Sequence, residues 1–506
     1  MTPPSNLGEV MAFTPGAQAP AIVALGLDGS ARTISRAELD ATADAFARGL
    51  AKRGIARGDR IAILSANGPD YLPALLGAMR AGVVPVPLNF RFPAATIGQM
   101  VADSGARIVF CDAERRAAAP AGVPAVTFGQ ESADVLADWL DPGPFDPIEP
   151  APDETALMLF TSGSTGRPKG VRLSHASHLW VARTRMADDA LEDERMLIAA
   201  PLYHMNALAN CLLALGASAT ILLLPLFDAR TYIAAIDRHR ATWATAVPPM
   251  IAMMLREADA LAGADLTSVR VVRMGSAPVN AALEARIRAL LPNARIINAY
   301  GTTESGPVAF LDRGGEAPTG SVGRPHPGVE IRLNGPGAPD FGTLGIKSPG
   351  VMLGYHERPD VPSPVTADGF YRTGDVFRRD AEGFFFFFGR DDDMFVSGGE
   401  NIFPGQVEAV LETHPAVAEA SVVPVDDAIK GQKPVAFVAL KAGARASEAE
   451  LKAYALERMP AYQHPRRVWI VDKIPLSSTS KVDRAALKAR ATAEMRAGEE
   501  AGGKNA

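Results

Sequence analysis

The segment Leu159-Phe-Thr-Ser-Gly-Ser-Thr-Gly-Arg-Pro-Lys-Gly170 gathers glycines, hydroxyls and one lysine directly after an apolar run, Thr155–Phe160. Glycines let backbone amides come close to an anion, hydroxyls donate to phosphate oxygens, and Lys169 adds positive charge. A buried strand that delivers such a loop makes a phosphate cradle. The pattern is not the G-x-x-x-x-G-K-[ST] loop, because Arg-Pro separates Gly166 from Lys169 and no Ser or Thr follows. The only cysteines are Cys111 and Cys211, so neither a disulfide framework nor a Cys-rich metal site is available. With 57 acidic residues against 51 Lys and Arg, the net charge of −6 argues against nucleic acid as the main partner.

The elements that must position this loop are those of an α/β protein. The chain has 506 residues, 47% apolar and 21% charged, an ordinary globular balance. Ser35-Arg-Ala-Glu38 reads as a capping box opening a helix to about Lys52. A strand over Arg60–Leu64, a helix over Asp70–Ala81 and a buried strand over Val83–Leu88 follow. After the Pro- and Asp-rich connection 141–150 the alternation resumes at Thr155 and continues past residue 300, the rhythm of parallel sheets covered by helices. The uncharged stretch Leu208–Leu224 is interrupted by Gly216, Ala217 and Ser218 and reads as helix, turn and core strand rather than a membrane span. The N-terminal residues lack a basic segment followed by an apolar core, so a soluble, cytoplasmic protein is expected.

Near residue 390 the character changes. Phe384–Phe388, five phenylalanines in a row, predict a strand buried on both faces. Behind them a compact α+β segment is expected, with a helix over Pro404–Thr413, strands at Val417–Val425 and Val435–Leu440, and a helix capped by Ser447-Glu-Ala-Glu450. That second helix should bury Leu451, Tyr454, Ala455 and Met459. Ala491–Ala506 is expected to fray. The boundaries are set at 1–389 for a large domain, 390–393 for a hinge and 394–506 for a small one.

The glycine- and hydroxyl-rich loop resembles the phosphate-binding signature of the adenylate-forming superfamily, which includes acyl-CoA synthetases. Other motifs stand in the matching order. They are Asn298-Ala-Tyr-Gly-Thr-Thr-Glu304, Tyr371-Arg-Thr-Gly-Asp375, Gly389-Arg-Asp-Asp392, Ser397-Gly-Gly-Glu-Asn401 and Pro475-Leu-Ser-Ser-Thr-Ser-Lys481. The resemblance covers about residues 20 to 490 and implies a large N-terminal α/β domain, with parallel-rich sheets and a small β subdomain, followed by a small mobile α+β lid. It assigns ATP to Ser162, Gly163, Ser164, Thr165, Gly166 and Lys169. An adenine wall is implied at Ser276, Ala277, Asn298, Ala299, Tyr300, Gly301, Thr302 and Thr303, where Tyr300 either stacks on the base or packs in the core. Glu304 and Thr161 would hold Mg²⁺, which usually takes one or two carboxylates plus phosphate oxygens. Asp375 and Arg390 would take the ribose, and Lys481 the carboxylate and α-phosphate, where an ammonium stabilises developing charge. The superfamily usually has Gly before this lysine; here Ser480 stands there.

The resemblance further implies that the small domain rotates about Asp392 and brings in Ser397, Gly398 and Gly399 to line a pantetheine channel, although two glycines also make a simple tight turn. Arg91 and Arg466 resemble contacts to the phosphates of coenzyme A. His204, in Pro201-Leu-Tyr-His-Met-Asn206, resembles the residue that gates the acyl pocket, with further walls from Ala246–Met254 and Met274–Ala277. No aspartate is present to anchor an amino acid, and Met253 falls near the place of the arginine that malonate-activating members use. An apolar acid, aromatic or medium-chain aliphatic, is therefore expected, with Asn206 either bonding a hydroxyl or carbonyl on it or bonding backbone. The expected activity is ATP-dependent carboxylate–CoA ligation. Loading of a carrier protein and an inactive nucleotide- or acyl-binding relative are the alternatives, and a homodimer is left open.

Overall fold

The computed structural model describes residues 3–14, 20–129, 135–161, 167–275, 279, 281–311, 317–335, 339–427, 429–477 and 482–502. The chain divides into two compact units. One comprises Met1–Arg332, Gly345–Thr373 and Glu382–Phe384; the other comprises Leu333–Leu344, Gly374–Ala381 and Phe385–Ala506.

The first unit is α/β, as the alternation predicts. Its largest sheet has the strand order Arg295–Ala299, Val271–Gly275, Trp243–Ala246, Arg195–Ile198, Thr220–Leu223, Pro20–Leu25 and Ala31–Ser35. Every neighbouring pair is parallel except the terminal hairpin, so most strands are buried on both faces and read as apolar runs. A second, all-parallel sheet orders Val84–Pro87, Arg60–Leu64, Ala106–Cys111 and Ala125–Thr127. A small antiparallel sheet joins Thr155–Thr161, Lys169–Ser174 and Gly354–Tyr355. Helices Arg36–Lys52 and Tyr71–Arg80 pack so closely that a Cβ on Gly77 would stand 2.3 Å from the carbonyl oxygen of Ala43. Leu208–Leu224 is the end of helix Met205–Gly216, a turn and strand Thr220–Leu223. No helix among the described residues is long and apolar enough to cross a membrane.

The second unit is α+β. Gly431–Leu440 is central in its sheet, flanked by Val417–Asp427, Phe395–Ser397 and the parallel strand Val468–Val471. Helices Pro404–Glu412, Glu448–Arg458 and Arg484–Gly502 accompany it.

Four local expectations need correction. At Ser35 only half of the capping box forms: Ser35 Oγ accepts from the Glu38 amide at 3.1 Å, but the Glu38 carboxylate takes Arg32 at 3.0 Å. A guanidinium within reach outcompetes a backbone amide for a carboxylate. In the phenylalanine run only Phe384 and Phe385 are buried, while Phe386–Phe388 are half-buried. Their rings meet Arg378 at 4.9 Å from Phe386, Phe377 at 5.6 Å from Phe387, and both Phe341 at 4.7 Å and Phe403 at 5.3 Å from Phe388. Along helix Glu448–Arg458, Leu451 and Ala455 are buried but Tyr454 and Met459 only partly so. Tyr454 reaches sideways to Thr413 and His414, and Met459 already has extended backbone. Finally, residues 491–502 continue helix Arg484–Gly502 instead of fraying, seated by Leu487 and Ala491, both buried.

Candidate active site

Strands Thr155–Thr161 and Lys169–Ser174 are antiparallel with Thr161 opposite Lys169, which pins together the two ends of the glycine-rich loop. A Cβ on Gly170 would meet Met158 Sδ at 2.7 Å, so that methionine side chain would have to shift. Ser162, Gly163, Ser164, Thr165 and Gly166 lie outside the described residues.

Beside this hairpin stands Glu304, 8% exposed. Its Oε1 accepts from the Thr161 hydroxyl and from the Tyr355 hydroxyl, each at 3.3 Å. Tyr355 arrives because Gly354–Tyr355 pairs with the second hairpin strand, placing Tyr355 opposite Val171. Lys169 Nζ lies 4.5 Å from the centre of the Tyr355 ring, a cation–π contact that holds the ammonium near the loop. Burial, and then the Glu304 carboxylate, push the Tyr355 pKa upward, so this hydroxyl stays protonated and donating. One carboxylate with one hydroxyl would suit Mg²⁺, a cation that takes few protein ligands, and Glu304 and Thr161 would hold it. Among the described residues no group of three or more His, Cys, Asp or Glu converges, so a dedicated all-protein metal cage is not what this site offers.

The proposed adenine wall is built on parallel strands that place Met274 opposite Asn298 and Gly275 opposite Ala299. Ser276 and Ala277 lie outside the described residues. The Asn298 amide donates to the Ser321 carbonyl at 3.1 Å, fastening the loop before Gly323. Tyr300 is half-buried with its ring 5.8 Å from Phe310, and Gly301 is exposed. Thr302 exchanges hydrogen bonds with Ser305 at 3.0 and 3.1 Å, and this turn aims Thr303 and Glu304.

His204 is the residue preceding helix Met205–Gly216, with its ring 4.6 Å from Tyr203. The segment is held by the buried Asn67, whose Oδ1 accepts from Leu202 N at 2.9 Å and whose Nδ2 donates to Ala200 and Leu224 carbonyls at 3.0 Å. Burial raises the Tyr203 pKa to about 12, against the nearby charges of Arg91 and Arg115. Arg91 itself is exposed, and its amide donates to Asn89 Oδ1 at 2.9 Å.

In the second unit Asp375 stands opposite Arg390 in an antiparallel pair, and the guanidinium meets Asp375 Oδ1 at 2.9 Å. Arg390 also grips both oxygens of Asp392, at 2.7 and 3.2 Å. Asp375 is buried and Arg390 reaches solvent, so the pair forms a carboxylate with its orientation fixed from one side. Ser397 and Glu400 close a two-residue hairpin over Gly398 (φ +61°) and Gly399 (φ +89°), left-handed backbone that a side chain would strain. Arg466 bonds back onto its own loop, to His464 Nδ1 at 3.2 Å and the Ala461 carbonyl at 3.1 Å. Lys481 and Ser480 lie outside the described residues.

Two candidate site residues, Tyr355 and Asn67, escaped sequence reading.

A phosphate-loop hairpin beside a metal-suited carboxylate, on a parallel α/β unit, is the equipment of a nucleotide-using enzyme. The AMP-binding enzyme family matches residues 12–356, and its C-terminal domain matches residues 406–481. The chain belongs to that family, the adenylate-forming superfamily of acid–thiol ligases. It is 36% identical over 466 residues to a feruloyl-CoA synthase from Amycolatopsis sp, covering 90% of this chain and 94% of that one. A fatty acid–[acyl-carrier-protein] ligase, ScoC of Streptomyces coeruleorubidus, is 32% identical over 483 residues, covering 91% and 92%. The crystal structure of ATP-bound MatB from Rhodopseudomonas palustris superposes with a TM-score of 0.85 at 28% identity, covering 96% of this chain and 99% of that one.

Proposed function

We propose that this chain joins a carboxylic acid with an apolar, aromatic body to the thiol of coenzyme A in two half-reactions. In the first, a carboxylate oxygen attacks the α-phosphorus of ATP and the bond to pyrophosphate breaks, its electron pair leaving with pyrophosphate. In the second, the thiol sulfur attacks the acyl carbon, the thiol proton passes to solvent, and AMP departs with the electron pair of the acyl–oxygen bond. The observation that carries this reading is the meeting of the Thr161 and Tyr355 hydroxyls at Glu304, with Lys169 over the Tyr355 ring, beside the loop whose composition suits phosphate.

In this reading Glu304 and Thr161 hold Mg²⁺, which when bound neutralises charge on the phosphates. Lys169 and residues 162–166 cradle those phosphates, Asn298, Ala299, Tyr300, Gly301, Thr302, Thr303, Ser276 and Ala277 enclose adenine, and Asp375 with Arg390 orients the ribose. Lys481 serves the first half-reaction. Ser397, Gly398 and Gly399 serve the second, with Asp392 as the hinge between states and Arg91 and Arg466 on the phosphates of coenzyme A. His204 flanks the acyl group. An aromatic body, in preference to a medium-chain aliphatic one, is supported by the 36% identity to a feruloyl-CoA synthase. The 32% identity to ScoC favours a second reading, with a phosphopantetheinyl carrier protein as acceptor.

Pyrophosphate release across aromatic, short, medium and long-chain acids tests both. Multiple turnover that requires free coenzyme A supports the ligase. Turnover that requires a holo-carrier protein instead moves the assignment to the second reading, and no release with any acid overturns both.

A further inference from the structure

The hairpin that carries the glycine-rich loop has a second face. Successive side chains on a strand point to opposite sides, so Lys169 and Val171 share one face of strand Lys169–Ser174 and Gly170 and Arg172 the other. Tyr355, paired with Val171 and stacked under Lys169, belongs to the first face. Gly354, paired with Arg172, belongs to the second, and so does His356, whose amide donates to the Gly170 carbonyl at 2.8 Å. On that second face the first unit forms a cleft of about 190 Å³, bordered by Arg60, Glu154, Met158, Arg172 and His356. Since about 10–15 Å³ on this measure holds one water, there is room for a small polyatomic ion.

The charges around this cleft do not balance. Arg60 opens strand Arg60–Leu64 with its guanidinium already oriented, Nε donating to the Ser104 carbonyl at 2.8 Å and Nη1 to the Gly58 carbonyl at 3.1 Å. Arg172 Nη2 donates to the Leu353 carbonyl at 3.3 Å, while its Nε is buried without a hydrogen-bond partner. His356 Nε2 is also buried without one, and the Glu357 carboxylate stops 3.8 Å away. Burial lowers the His356 pKa, and the charges of Arg60 and Arg172 lower it further against Glu357, so the ring feels both guanidiniums. The carboxylates nearby are already engaged. Glu154 holds Arg57 with both oxygens and accepts from the Ala151 amide; Asp59 accepts from the Ala56 amide at 2.7 Å and takes Arg107 at 2.5 Å. Among the described residues neither Arg60 nor Arg172 forms an ion pair. Buried donors are normally satisfied, and two such nitrogens beside two unpaired cations call for an anion.

We propose that Arg60, Arg172 and His356 form a second oxyanion site, on the face of the hairpin opposite the candidate active site, that takes a phosphate-type anion. The donors come from three separate places: the start of one strand, the middle of another, and the turn after Gly354–Tyr355. Groups converging in that way suit a tetrahedral oxyanion, whereas a planar carboxylate is satisfied by the fork of one guanidinium. A bound anion ties strand Arg60–Leu64 to the hairpin and to the residue following Tyr355, whose hydroxyl reaches Glu304. The site stands independently of the acid and of the thiol acceptor.

Calorimetry on the whole chain tests this with a non-hydrolysable ATP analogue at saturation, so that the glycine-rich loop is filled and cannot supply the response. Inorganic phosphate and pyrophosphate are titrated separately, with acetate and chloride at matched ionic strength. One phosphate-type anion should bind in addition to the analogue. Whichever of phosphate and pyrophosphate binds more tightly upholds the site and names its occupant. Arg172→Met should weaken that binding at least roughly 10-fold, the loss expected for a hydrogen bond to a charged group, and Arg60→Met should do the same. Both variants should keep the wild-type affinity for the analogue, a pattern that general loss of structure does not produce. No additional anion bound by the wild type overturns the proposal without recourse to any variant. So does acetate or chloride binding as tightly as phosphate, which marks general screening of positive charge. Phosphate affinity unchanged in both variants removes the anion from these residues and overturns it as well.

Discussion

Tyr355→Phe removes one oxygen and probes the metal assignment. The ring remains, so the Lys169 contact at 4.5 Å is preserved, while Glu304 Oε1 loses one of its two hydroxyl donors at 3.3 Å. A well-made hydrogen bond to a charged group contributes about 1.5–3 kcal/mol. At 3.3 Å the bond is longer than the ~2.7–2.8 Å typical of O–H···O, so about 1–1.5 kcal/mol is the share expected here. That energy goes into holding the carboxylate where a cation on the phosphates meets it. At about 1.4 kcal/mol per tenfold, half-saturation for Mg²⁺ should rise roughly 5- to 12-fold. The maximal rate, once metal saturates, should change by less than about 3-fold, because the reacting atoms are untouched. Pyrophosphate release as a function of Mg²⁺ at fixed ATP reads both quantities, and Thr161→Val, which also removes a proposed ligand of the metal, should raise the half-saturation further. If Glu304→Gln retains wild-type magnesium dependence, the carboxylate is not the metal's ligand and the reasoning fails.

Three further outcomes are expected. Lys481→Ala should slow acyl-adenylate formation by at least ~10²-fold in a single-turnover assay, while thioester formation from supplied acyl-adenylate is spared, since the lost charge acts only where the phosphate is attacked. Gly398→Ala puts a side chain at φ +61°, at a cost of roughly 1 kcal/mol, and should slow thioester formation more than pyrophosphate release; the opposite order would remove the hairpin from the thiol channel. His175 and His178 are both drawn down from 6.5 to about 4 by burial, and His175 Nδ1 accepts from the Leu7 amide at 2.9 Å. Their folded pKa values are depressed, so the unfolded chain binds more protons between about pH 4 and 6.5. The stability they confer is whole above that window and is lost as pH falls through it. Denaturation midpoints should therefore drop between about pH 6.5 and 5, less so in His175→Asn, whose side-chain oxygen replaces the acceptor; an unchanged midpoint would contradict the burial of both rings in the neutral form.

Legibility from sequence followed the range of the interactions. The capping box at Ser447–Glu450 was readable because both halves are local, and both form. The one at Ser35 was misread because Arg32, outside the four-residue window, takes the carboxylate. The Thr155–Thr161 strand and its loop could be seen because composition alone marks a glycine-rich turn after an apolar run. Tyr355 could not: it lies 51 residues after Glu304 and reaches it only through strand pairing with Val171. Arg273 was passed over because its neighbours Val271, Val272 and Met274 read as core strand; the strand buries it, with Nη1 on Asn206 Oδ1 at 2.9 Å. The phenylalanine run was over-read, since apolar identity does not tell a strand covered by a second layer from one shielded by a few rings and an arginine.

In the proposed reaction the acid's own oxygen bonds to the α-phosphorus. Oxygen-18-labelled acid, turned over with ATP and coenzyme A, tests it most directly. A single labelled oxygen should appear in the phosphate of AMP and none in pyrophosphate. Label appearing in inorganic phosphate alongside ADP, or AMP without label, would contradict it.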